Sequence, residues 1–250
     1  MNLKIQNIEN DCTGCGSCAN ICPKHCLEMK PNAEGFYYPV YNPADCITCG
    51  LCEKTCHVLY PQTVNGSSSF FFCYRTKDEE LREKSSSGGA FSLFAGHVLS
   101  KGGLVFGSVY DGEIGKLVVK NTDCVPLDSL RKSKYIESFT SRSWTEIKQS
   151  LLKNRQTLFC GTPCQVSGLL SFLRQAHVDT KNLITIDFAC HGVPSNKCFS
   201  EFIKFFTRGE NTVTSADFRY KDFKKNIGWH NMVLALGLSN GKKKVIKYNK

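Results

Sequence analysis

The sequence predicts an α+β ferredoxin-like cluster domain over residues 1–60, followed by an α/β domain over 70–250 with a mixed, largely parallel sheet. Three observations carry this. Eight cysteines in the first 60 residues form two copies of one spacing. The stretch 61–69 (PQTVNGSSS) is rich in turn-forming residues and reads as a linker. From Phe70 onward, apolar runs of strand length alternate with amphipathic runs of helix length, the pattern of strands and helices layered on one sheet.

The cysteine spacing is the most specific feature. Cys12-x-x-Cys15-x-x-Cys18-x-x-x-Cys22 recurs as Cys46-x-x-Cys49-x-x-Cys52-x-x-x-Cys56. Each iron of a [4Fe–4S] cube needs one thiolate from the protein. Three cysteines at this spacing wrap one cube from a single loop, and the fourth crosses to the other cube. Cys12, Cys15, Cys18 and Cys56 are therefore expected to hold one cluster, and Cys46, Cys49, Cys52 and Cys22 the other. Gly14, Gly16 and Gly50 suit loops that turn backbone N–H groups toward sulfur. Pro23 follows the first run, whereas His57 stands at the matching place in the second. Leu27–Met29 and Phe36–Val40 are expected to pair as a hairpin between the halves. Structural zinc is the rival, but zinc sites close four ligands on one ion from paired C-x-x-C halves. Here each half has a third and a fourth cysteine. Cys26, Cys73, Cys124, Cys160 and Cys198 are read as small buried residues.

Composition narrows the class. The 250 residues are 41% hydrophobic, enough to bury a core. The formal charge is +10, but a cube with four thiolates carries about −2, so two clusters lower it to about +6. The cysteines number 15, an odd count, and follow a terminus without an apolar signal segment. A reducing, cytoplasmic setting fits them better than a disulfide framework. The best apolar run, Phe91–Leu99, includes His97 and is short for a membrane span, so no transmembrane segment is expected. Lysines crowd 221–250 and read as a solvated face or guarded edge strands. No recognition motif accompanies the charge, so nucleic acid is not an expected partner. A redox protein or a small-molecule electron donor or acceptor is.

In the second domain, Phe70–Tyr74 is a strand candidate, and Ser87-Gly88-Gly89 opens a helix through Leu99. Leu104–Val109 forms a strand ended by Asp111-Gly112. Leu158–Cys160 leads through Gly161-Thr162-Pro163 into a helix over Cys164–Arg174. Leu183–Phe188 leads through Cys190–Pro194 into a helix over Ser195–Phe206. Ligands in such sheets collect at the carboxyl ends of strands, where these loops lie. Val213–Tyr220 and Met232–Leu238 read as strands, and Ser239-Asn240-Gly241 as a hairpin turn into 242–248.

Two features of these loops carry chemistry. The free N–H groups at the helix start after Ser87-Gly88-Gly89 favour an anion, although such a tripeptide is often only a cap and turn. Gly161–Gln165 and Cys190–Ser195 each set a cysteine near a helix N-terminus, which lowers a thiol pKa and suits ligation or redox work.

Taken in order, the doubled cluster motif, SSSGGAFS (85–92), LRKSKYIES (130–138), FCGTPCQVSGL (159–169) and DFACHGVPS (187–195) resemble the coenzyme F420 hydrogenase/dehydrogenase beta-subunit family. The resemblance implies a FAD-binding α/β domain that passes electrons between iron–sulfur clusters and an organic substrate or a deazaflavin-type coenzyme. It implies a flavin site at Ser87, Gly88, Gly89, Lys134, Tyr135, Ser138, and Gly161, Thr162, Pro163, Cys164 and Gln165. Lys134 would stabilise a reduced, anionic flavin, Tyr135 would stack on the ring, and His191 would deliver a proton. Some family members hold a further cluster to which Cys164 and Cys190 correspond. The downstream cysteines that would complete it are absent, so a full third cluster is not expected. Members of this type usually continue past this point, so the second domain is expected to be incomplete at its carboxyl end. The leading expectation is a flavin-dependent iron–sulfur oxidoreductase. The alternative is an electron-transfer subunit that docks a partner enzyme and has no substrate of its own.

Overall fold

A computed structural model describes residues 3–8, 11–61, 70–208, 212–225, 227, 228, 231 and 233–247. Apart from Pro61, the expected linker lies outside the described residues.

The cysteine-rich part folds as two pseudo-equivalent halves around a hairpin. Helix α1 (Ser17–Ile21) and helix α2 (Leu51–Thr55) each start directly after a left-handed glycine, Gly16 with φ 74° and Gly50 with φ 71°. Strand β1 (Leu27–Pro31) pairs antiparallel with β2 (Tyr37–Tyr41), from Leu27 opposite Tyr41 to Pro31 opposite Tyr37. Alternation along both strands turns Leu27, Met29 and Tyr37 inward, where they meet Leu3, Ile5 and the buried cysteines.

The second part is a five-stranded sheet with helices on both faces. Helices α3 (Glu79–Glu83) and α4 (Ala90–Ser100) precede β3 (Leu104–Asp111), β4 (Lys116–Asn121), α5 (Leu127–Leu130), β5 (Ser138–Phe139), α6 (Ser143–Leu152), β6 (Thr157–Cys160), α7 (Pro163–Gln175) and β7 (Leu183–Ile186). The strand order is β5-β4-β3-β6-β7. All pairs are parallel except β3–β4. Successive residues point to opposite faces, so each central strand feeds two cores. Phe106 and Phe159 pack under α6 and α7 with Trp144, Leu169 and Phe172. Val105 and Leu158 pack under α4 with Ala95 and Val98. Helix α8 (Asn196–Thr207) then covers a separate antiparallel sheet of β8 (Val213–Asp217), β9 (Val233–Leu238) and β10 (Lys243–Lys247), with Phe199, Leu234 and Leu236 between them.

The fold class is as expected, with three corrections of detail. Phe70–Tyr74 is not a strand. It runs as irregular chain beside the 85–89 loop, joined by the Thr76 N–H donating to the Gly88 carbonyl at 2.9 Å. With no sheet edge to bury them, Phe71 and Phe72 are 95% and 90% exposed. Strand β4 went unread because the Asp111-Gly112 turn hid an antiparallel return, and this makes the sheet mixed. Lys221 belongs to no solvated face. It is buried and donates to the Ser85 and Arg82 carbonyls.

The two parts share a seam. Helices α1 and α2 pack on α7. The Trp144 indole N–H donates to the Cys15 carbonyl at 2.8 Å, and Thr140 Oγ1 donates to the same oxygen. Asn20 spans the seam, its Nδ2 donating to Ser141 O and its Oδ1 accepting from Thr145. Tyr37 stacks on Phe139 at 4.6 Å. No described helix is long and apolar enough to cross a membrane.

Candidate iron–sulfur and cofactor sites

The fold gathers the eight cysteines into two sets, each mixing the two runs. Cys22, Cys46, Cys49 and Cys52, with Cys26 beside them, line one cavity. Cys12, Cys15, Cys18 and Cys56 line a second. The crossing has a local cause. Each short helix ends on its fourth cysteine in extended backbone, Cys22 at φ −66° and ψ 114°, Cys56 at φ −71° and ψ 114°, which carries the chain toward the other half.

The donor set fits an iron–sulfur cube. Four thiols drawn from the two runs stand round each space, beside apolar residues such as Leu3, Leu27 and Leu51 or Ile5, Ile8 and Val58. Among the described residues, no three Cys, His, Asp or Glu side chains close on one point as a single ion needs. Burial pushes the Cys12 and Cys52 thiols up to about 11 and Cys18 well above its usual value, with neighbouring thiols adding to the rise. Loading a metal there must therefore expel protons. Cys26, buried as expected, lies with its sulfur 3.4 Å from that of Cys22. His57, in proline's place, shares a 3.1 Å hydrogen bond with Thr13 Oγ1 beside the second cavity. Cys73, Cys124 and Cys198 are exposed, contrary to expectation, and Cys160 is half-buried.

The residues assigned to a flavin, to proton delivery and to a further cluster fall into three groups. The first surrounds the start of α4. Gly89 caps the helix at φ 92°, and a Cβ on Gly88 would run into the Tyr74 carbonyl, so both positions require glycine. Ser87 is exposed, while Ser86 Oγ accepts from the Ser133 N–H at 2.6 Å. Lys221 anchors the preceding turn, and Lys132 pairs with Asp217 at 2.6 Å. Lys134 donates to the carbonyls of Ser129 and Arg131. Burial lowers its pKa to about 7, partly offset by Cys160 and Asp217. The Tyr135 ring is exposed, with Arg219 Nε donating to its hydroxyl at 2.8 Å.

The second group ties β5 to α7. Gln165 Oε1 accepts from the Thr162 N–H, and Gln165 Nε2 donates to the Ser138 carbonyl and hydroxyl. Gly161 is buried and Pro163 starts α7. Cys164 shares a 3.1 Å contact with Thr162 Oγ1; burial raises its pKa, with Cys15 and Cys190 near enough to add to the rise. The third group, Cys190 and His191, is exposed.

Sequence reasoning passed over the cations of the first group, because Arg219 and Lys221 carry no motif and Lys132, inside LRKSKYIES, was given no role. It also passed over Glu137. This side chain sits at the seam, with Oε1 accepting from the Tyr37 N–H at 3.2 Å and Oε2 buried without a partner among the described residues. Burial holds its carboxyl up to about 7, with the Tyr37 N–H pulling back. The folded protein thus binds more protons than the unfolded chain between an ordinary carboxyl pKa and about 7. Stability is expected to fall as pH rises through that window and to level off above it, by about 1–2 kcal/mol after screening. Urea titrations across the window should show this slope in the native chain and lose it in Glu137→Gln. An unchanged slope in the variant would assign it elsewhere.

Residues 11–59 match the profile of the 4Fe-4S dicluster domain. Residues 154–247 match that of the C terminus of the coenzyme F420 hydrogenase/dehydrogenase beta subunit. A polyferredoxin-like protein of Methanocaldococcus jannaschii is 37% identical over 59 residues, 20% of this chain and 35% of that protein. Pyruvate synthase subunit PorD of Thermotoga maritima is 61% identical over 23 residues, 9% of this chain and 23% of that protein. The chain thus spans about a third and about a quarter of the curated relatives it matches. Among solved structures, a chain of the F420-reducing [NiFe] hydrogenase complex from Methanosarcina barkeri aligns at TM-score 0.44 and 13% identity, covering 69% of this chain and 58% of that one. The chain carries a two-cluster iron–sulfur domain of ferredoxin type. More narrowly, its carboxyl-terminal part, residues 154–247, is similar to the C terminus of the coenzyme F420 hydrogenase/dehydrogenase beta subunit.

Proposed function

We propose that the chain is an iron–sulfur flavoprotein oxidoreductase, with one cluster on Cys12, Cys15, Cys18 and Cys56, the other on Cys46, Cys49, Cys52 and Cys22, and FAD in the α/β domain. Bound together, the cubes would carry single electrons and the flavin would pair them for an organic substrate or a deazaflavin-type coenzyme. The observation that carries this reading is the closeness of Cys15 to α7. A Cβ on Gly168 would lie 2.8 Å from the Cys15 sulfur. One cysteine set therefore abuts the helix that rises from the Gly161–Gln165 loop, at the carboxyl end of β6.

The chain's own residues prepare the second site. Lys221 donates to the Ser85 carbonyl in the turn before α4, with Arg219 and the Asp217-paired Lys132 close to it, and the excess of positive charge favours an anionic cofactor there. Lys134, titrating near neutrality, can hold or release a proton at Nζ beside that loop. His191, on an exposed loop, is free to meet substrate from solvent.

Anaerobic purification tests the reading. About eight iron atoms per chain with bound flavin are expected. The same iron without flavin, even after incubation with FAD, would instead indicate a carrier that docks a partner enzyme. Protein that takes up neither would end both readings.

A further inference from the structure

The two cysteine loops are copies in sequence, yet the fold treats them differently. In the first loop, a Cβ on Gly14 would lie 2.8 Å from Glu137 Oε1, and one on Gly16 would meet Thr140 Oγ1. The Cys15 carbonyl is taken by Trp144 and Thr140, and its sulfur faces Gly168. In the second loop, a Cβ on Gly50, the counterpart of Gly16, would meet nothing within 4 Å among the described residues. Ile47, Thr48 and Cys49 are all exposed, Ile47 by 55%.

Charge divides along the same line. Residues 1–60 hold four lysines and no arginine against six Asp and Glu, a net −2. Two cubes with their thiolates take this to about −6. With the whole chain at a formal +10, the remaining residues carry a net +12. A partner with a basic face is drawn to the cluster domain and repelled by the rest.

We infer that the Ile47–Gly50 loop is the docking face for an external one-electron carrier protein with a basic contact surface. The cluster beside it exchanges electrons with that carrier, and the cluster on Cys12, Cys15, Cys18 and Cys56 relays them to and from the α/β domain. This rests on the two-cluster reading above. A cube gains or loses one electron at a time, with no proton or atom transferred, so the partner is a single-electron carrier.

Ferric cytochrome c, a basic protein that accepts one electron, serves as the probe. The full chain, loaded with iron and reduced anaerobically, is mixed with it, and the visible band of the cytochrome reports the transfer. Each ferric haem reduced oxidises one cube by one electron. At low salt, Ile47→Lys should slow the transfer roughly three- to tenfold and Ile47→Glu should speed it. Both effects should fade at high salt. Ile114→Lys, an equally exposed isoleucine (55%) on the β3–β4 turn, makes the same change in net charge and should alter the rate by less than about twofold. Equal slowing by both lysine variants, or by neither, overturns the inference. The readout needs no flavin, so a flavin-free chain leaves the result valid. Failure to load iron sinks the cluster reading, and the inference with it.

Discussion

Replacing Cys12 and Cys56 together by alanine is expected to halve the iron of the anaerobically loaded protein, from about eight atoms per chain to about four, whereas replacing Cys12 and Cys22 removes nearly all of it. The contrast follows from which sulfurs share a cavity. Cys12 and Cys56 lie 44 positions apart in sequence yet line the same one, so the first variant spares the other set. Cys12 and Cys22 belong to one run yet line different cavities, so the second variant wounds both. If each run closed on its own cube, the two results would exchange. Paired alanines are preferable to single serines, because an oxygen ligand or a cube short of one iron can mask the loss of one thiolate. Iron and sulfide analysis, with the electron paramagnetic resonance of the reduced protein, reads the outcome.

The second large effect is expected at Trp144. This side chain is fully buried, meets Phe159 edge to face at 5.0 Å, and donates its indole N–H to the Cys15 carbonyl. Trp144→Ala removes the largest fully buried side chain at the seam and should cost about 3–5 kcal/mol. That is a large share of the roughly 5–15 kcal/mol that holds a domain folded. Trp144→Phe keeps most of the packing and loses the donor. It should cost about 1–2 kcal/mol, because Thr140 still satisfies the Cys15 carbonyl. Urea unfolding of the loaded protein under anaerobic conditions measures both. Because Cys15 moves with its carbonyl, Trp144→Ala should also release iron faster from the first cysteine set than from the second. Wild-type stability in Trp144→Ala would show that the seam contributes little to folding.

The cysteine arrangement was legible because ligand spacing is a covalent constraint: three cysteines two residues apart can only lie on one tight loop. The hairpin at Leu27–Pro31 was legible for a related reason, as a short alternating stretch held between two such loops. Between Leu104 and Thr207, β3, β6, α7, β7 and α8 were readable to within a few residues, since glycine and proline mark their ends, whereas β4, α5, β5 and α6 were not. Phe70–Tyr74 failed because aromatic residues resemble a strand whether or not a sheet edge awaits them. The cationic surroundings of α4 were illegible for another reason. Lys132, Arg219 and Lys221 converge only through the sheet topology, and a lysine's spacing in sequence says nothing of which carbonyl it reaches. Glu137 lay inside a quoted motif, but only its neighbours in space, Tyr37 and Gly14, mark it as unusual.

The stacking of Tyr37 on Phe139 recurs, as a kind of bolt, in the Ser195 hydroxyl donating to Glu34 O and the Lys197 ammonium donating to Ala33 O. These fasteners hold the turn end of the hairpin, and the Trp144 and Asn20 contacts hold the first cysteine loop and α1, so the ferredoxin part has no room to swing as a tethered shuttle. On the proposed function, hops between the iron centres and a flavin in the larger body would cross a gap of fixed width, set by packing instead of by diffusion, and a thicker solvent would have nothing to slow.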